Sequence, residues 1–161
     1  MKSENKLEII PLSIIPVYDI EKGIEEGSYS SVNSWITKEN CPIIQPAEQK
    51  IKEVKVMLVS FGNRSMKTEE IPAALDDIQM KVAGPEHLLG AGIEHSKWHI
   101  DSEENKKIGR VIALGEPFPC MDDSVILYID CLSILSRNLC IANHKNMGWY
   151  VNTSYFLAVP K

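Results

Sequence analysis

The chain has 161 residues, 44% of them apolar and 24% charged, with 17 lysines and arginines against 22 aspartates and glutamates. That length suits one domain able to bury roughly 70% of its unfolded surface, and the balance excludes disorder, collagen or a coiled coil as whole-chain readings. A net charge of −5 repels a phosphate backbone, so no nucleic acid is expected as partner, and no apolar run is long enough to predict a membrane-crossing helix.

Residues 1–48 read as an irregular arm, because Pro11, Pro16, Pro42 and Pro46 each remove a backbone donor and fix φ. One short helix interrupts it, with Asp19 as N-cap, Gly27 just past the end, and Ile20 and Ile24 on the buried face. Tyr29 and Trp35 need cover, so the arm is expected to wrap the body at 49–161 within a single domain. Val54, Val56, Leu58 and Phe61 predict a strand, followed by a turn at 62–65. Thr68 then caps a helix whose first turn carries Glu69, Glu70 and Pro72, with Ile71, Leu75 and Ile78 at helical spacing.

A second helix begins at Pro85, where a missing donor costs least, and turns Leu88, Leu89 and Ile93 inward. Gly90 and Gly92 weaken it by about 1 kcal/mol each relative to alanine, which implies close packing or fraying. The polar stretch 99–107 reads as a loop. Strands are predicted at 111–114, 125–131, 134–142 and 155–159, with Pro117 and Pro119 enforcing a loop after the first and a turn-rich connection at 143–148. Helices and strands are segregated along the chain, so the expected class is α+β, with two helices packed on a mainly antiparallel sheet.

His95 and His99 stand four apart, which on a helix would put both imidazoles on one face as a metal site requires, with Glu94 and Asp101 as oxygen donors. No Glu follows the first of them, so the metalloprotease motif is absent, and no metal or cofactor is expected. Cys140 and His144 are also four apart, but Cys120 and Cys131 precede them at gaps too wide for a zinc ribbon. Cys120, in a loop after a Pro-Phe-Pro run, is the candidate thiol nucleophile. The N-terminus has no unbroken apolar core of a signal peptide, so a cytoplasmic location and four reduced cysteines are expected. At 143–150 a polar connection carries Asn146, Met147, Trp149 and Tyr150, residue types that suit a recognition surface on a rigid sheet.

Several stretches resemble an uncharacterised family of small bacterial proteins, among them Val32-Asn33-Ser34-Trp35-Ile36-Thr37, Pro85-Glu86-His87-Leu88-Leu89, Ile112-Ala113-Leu114-Gly115-Glu116 and Tyr155-Phe156-Leu157-Ala158-Val159. That resemblance implies no activity and no site residue. The order of two helices, a short strand, hairpin strands and a closing aromatic strand is similar to bacterial C-type-lectin-like domains. Those domains open their second helix with leucine-proline-threonine, here reduced to Ala83-Gly84-Pro85-Glu86, and the calcium-binding Glu-Pro-Asn and the lectin disulfides are absent. The resemblance therefore implies the architecture without sugar or calcium binding.

The reading that follows is a non-catalytic binding module that recognises a protein partner through its C-terminal loops. A thiol- or metal-dependent enzyme using Cys120 or His95 and His99 is one alternative. An acidic inhibitor protein from a mobile element is the other.

Overall fold

The computed structural model describes residues 7–62, 66–95, 108–131, 136–145, 148–149 and 154–161. Its first element corrects the expectation of an irregular arm. Glu8–Ile14 is a seven-residue strand, β1, despite Pro11. It tolerates that proline because it lies at the sheet edge, where a missing donor disrupts pairing on one side at most. Helix α1, Ile20–Gly27, is capped as expected by the Asp19 carboxylate, which accepts from the amides of Glu21 and Lys22. Gly27 is its last residue, and the left-handed turn that ends it falls on Ser28 at φ 52°.

A two-residue strand, β2 (Ser31–Val32), precedes β3 (Val54–Ser60) and β4 (Met66–Lys67). Thr68–Glu70 forms a single 3-10 turn leading into helix α2, Ile71–Asp76, which carries Pro72 in its first turn. Thr68 is buried within that turn and does not occupy the cap position. The helix ends before Ile78, and Gln79, at φ 62°, redirects the chain into β5 (Met80–Val82). Helix α3, Pro85–Glu94, then starts at its proline as expected.

The remaining strands are β6 (Arg110–Ile112), β7 (Phe118–Cys120), β8 (Asp123–Asp130), β9 (Asn138–Asn143), β10 (Gly148–Trp149) and β11 (Ser154–Pro160). Strand β7 is a second correction. The segment around Pro119, expected as a loop, pairs with β8 from Phe118↔Val125 to Cys120↔Asp123. Its only partner strand among the described residues is β8, so the proline again sits on an edge.

Nine strands form one sheet with the path β1-β3-β11-β6-β8-β9-β2, while β5 also pairs β11 and β7 pairs β8. The sheet is mixed: β6 runs parallel to β11 and β2 parallel to β9, and the other pairs are antiparallel. Strands β3 and β11 are neighbours, joined at Val59↔Phe156 and Leu58↔Leu157.

Side-chain alternation divides the core in two. Val56, Leu58, Val111, Leu127, Ile129, Leu139, Tyr155 and Leu157 face Leu88 and Leu89 of α3 and Ile20 of α1. Val59, Ile112, Ile126, Phe156 and Ala158 face Ile71 and Leu75 of α2. Among the described residues there are thus three α-helices on two sheet faces, α1 in the arm and α2 and α3 in the body. Both faces of the central strands are covered, which is why β11 reads as a continuous apolar run and not an alternating one. Ile36 and Cys41 of the arm are buried in the first core, with Tyr29 and Trp35 packed against it.

Candidate functional site

Of the four residues singled out for recognition, Asn146, Met147 and Tyr150 lie outside the described residues. The fourth, Trp149, is described in its backbone alone. Strand β10 pairs with β4 in a separate two-stranded ribbon, Gly148↔Lys67 and Trp149↔Met66. The approach to this ribbon from β9 is fixed at two points. The His144 amide donates to the Ser124 carbonyl at 2.8 Å, and the Lys145 amide donates to Asn143 Oδ1 at 2.8 Å. The first bond extends the β8–β9 hairpin, and the second is an Asx turn that bends the chain away from it.

At the foot of this connection is a cavity of about 330 Å³ lined by Thr68, Glu69, Pro72, Leu114, His144 and Lys145. Three elements build it. The 3-10 turn before α2 contributes Thr68 and Glu69, the residue after β6 and its neighbour contribute the buried Leu114, and the end of β9 contributes His144 and Lys145. Leu114 and Pro72 give its lining an apolar part, and Glu69 and Lys145 add charges of opposite sign. Sequence reasoning found the connection but missed the cavity beneath it, because Thr68 and Leu114 meet His144 only through the sheet order.

The candidate chemical groups are placed differently. Cys120 is the last residue of β7, half-buried in a hairpin and not in a loop. The Cys41 and Cys131 thiols are pushed up to about 11, by burial before any other cause. Cys140 is raised as well, by burial and by the Asp130 carboxylate. A nucleophilic thiol needs the opposite shift.

His95 closes α3, and burial holds its imidazole below the ordinary value of 6.5 against the raising effects of Glu94 and a hydrogen bond with the Ser13 backbone. His99 lies outside the described residues. Among the described residues no three His, Cys, Asp or Glu side chains converge as a metal site would require.

One polar group on the second face was not singled out from the sequence. Arg110 on β6 lies opposite Asp130 on β8, with Nε 3.8 Å from the carboxylate, and its guanidinium is 5.9 Å from the centroid of the Tyr128 ring. Burial, then Cys140, raise the Tyr128 hydroxyl. The period-two alternation of β8 contains the signal, since Tyr128 and Asp130 alternate with Leu127 and Ile129 and so fall on the opposite face. The group is an ion pair stacked on a neutral phenol, an arrangement that fixes strand register. No family model, curated protein or solved structure matches this chain.

Proposed function

We propose that the protein is a binding module that engages a protein partner through the 143–150 connection, with Asn146, Met147, Trp149 and Tyr150 as contact residues and the cavity beside His144 and Lys145 as the anchor pocket. The observation that carries this reading is the cavity itself: the turn before α2, the segment after β6 and the end of β9 converge on it beside His144 and Lys145, where the connection begins. Binding segments are typically held in this way, by a scaffold that limits the entropy lost on association.

The lectin-like architecture belongs to the same proposal, as a fold that reads ligands with loops at one end of its sheet. So do the bacterial family and the cytoplasmic location.

The test begins with a partner captured from the native host and confirmed with purified components. Met147→Ala, Asn146→Ala and Lys145→Glu are then compared in binding and in thermal melting. Each should weaken binding by about tenfold or more with the melting temperature unchanged, a loss of about 1.4 kcal/mol. Unchanged binding in all three moves the site elsewhere.

A further inference from the structure

A second surface lies on the side of the first core, away from the cavity described above. Residues 15–19, which join β1 to α1, form a ridge between two hollows. One, of about 390 Å³, is bounded by Ile15, α1, the last turn of α3 and the arm residues Gln45 and Ile51. The other, of about 370 Å³, is bounded by Ile20, Cys41 and Ile43. Tyr18 and Asp19 line both. Between Ile43 of one hollow and Gln45 of the other stands Ile44, 83% exposed, and the first hollow is rimmed by Ile15 and Ile51 at 44% and 57%. Ile15 and Ile51, both left largely to water in the lining of one hollow, give that hollow an exposed apolar edge.

The ridge is rigid. The Val17 amide donates to the Glu86 carbonyl at 2.9 Å, the Asp19 carboxylate caps α1, and the Ile15 carbonyl packs against the Cα of Gly90, where no Cβ would fit. A surface held at three points needs little ordering on binding.

Its charge leans negative, with three carboxylates against two lysines in the linings of the two hollows. Asp19, Glu26 and Glu94 line the first hollow, and Lys22 is paired with Glu26 at 4.0 Å. Glu86 and Glu116 are close enough to hold the Tyr18 hydroxyl above its ordinary value, adding to the effect of burial. Against these carboxylates the second hollow offers Lys38, and Lys50 and Lys52 flank Ile51 in the sequence, with Glu48 and Glu53 on either side.

We infer that this double hollow docks an extended segment of a second protein that presents aliphatic side chains flanked by lysine or arginine. The isoleucine rim and the two hollows take the aliphatic groups, and the surplus carboxylates select the cations. A phosphate-bearing partner or an anionic lipid surface would meet repulsion there.

The probes are two nine-residue peptides, one alternating leucine with lysine and one alternating leucine with glutamate. Each is titrated into the full-length, nitrogen-15-labelled protein. The lysine peptide should shift the amides of residues 15–22 and 43–51, and its affinity should fall about fivefold or more when salt is raised from about 0.05 M to 0.5 M. Ile51→Ser, which removes the aliphatic group without adding charge, should weaken it by a similar factor at unchanged melting temperature. Glu94→Lys should weaken the lysine peptide and strengthen the glutamate peptide. Leu7→Ser, at an exposed aliphatic residue beside β1, should change nothing. Equal binding of both peptides, or shifts centred outside these segments, overturns the inference. So does a dimer in sedimentation that Ile51→Ser dissolves, since the surface would then belong to a second copy of the chain.

Discussion

Arg137 is 2% exposed, and no carboxylate pairs with it among the described residues. Its guanidinium donates from Nη1 to the Gly27 carbonyl at 2.7 Å and from Nη2 to the Gly92 carbonyl at 2.8 Å. These carbonyls lie in the last turns of α1 and α3, where the partial negative ends of two helix dipoles converge on one cation. The Tyr29 ring lies 5.0 Å below it and adds its π-face. Arg137→Lys keeps the charge but cannot span both carbonyls, and it should lose about 2–3 kcal/mol in urea denaturation. The Tyr29 hydroxyl, pushed up to about 12 chiefly by burial, has no hydrogen-bond partner among the described residues. Tyr29→Phe should therefore be neutral or stabilising by up to about 1 kcal/mol in the same assay. None of this was legible in the sequence, because the partners of Arg137 are 110 and 45 residues away. An arginine before a strand looks like any solvated one.

The helices divide cleanly into what local chemistry decides and what the fold decides. Asp19 and Pro85 announce the starts of α1 and α3 because a cap and a first-turn proline act within three residues. Pro11 and Pro119 misled, because whether a proline breaks a strand depends on which neighbours flank it, and edge position is set by sheet order. The connection at 143–150 stands out in the sequence by its polar composition, while the cavity beside His144 and Lys145 depends on residues 68–72, which only the fold brings to them. The glycines of α3 are the intermediate case. Their presence signalled close packing, but only the fold supplies the neighbours, the Ile15 carbonyl at Gly90 and the Tyr29 hydroxyl at Gly92. Gly90→Ala improves helix propensity by about 1 kcal/mol, yet its methyl group meets backbone that cannot move aside. The variant should be less stable than the parent by about 2 kcal/mol or more, measured as a lower denaturation midpoint at unchanged m-value.

At the scale of the whole molecule, the titrating groups give stability a direction in pH. His95 has its folded value depressed by burial, so its contribution is complete above about 6.5 and is lost as pH falls through the folded value. Glu86 acts in the same sense at lower pH. Burial pushes its carboxyl up, but the bonds to His87 and the backbone outweigh that and hold it below 4.5. Its contribution is present above the unfolded value and is lost on further acidification. Melting temperature should fall on going from about pH 7.5 to pH 5, and His95→Gln should flatten that part of the curve while leaving the more acidic part in place. An unaltered slope in His95→Gln would assign the acid sensitivity to other groups. The strand path has a consequence for biosynthesis. β11 fills the centre of the sheet between β3 and β6, yet it is made after both. Until residue 160 has left the ribosome, the earlier strands exist as two half-sheets with bare inner edges, exposed to pairing with other chains. A chain stopped at residue 153 should therefore be protease-sensitive and prone to aggregate, although it lacks only one strand of the sheet.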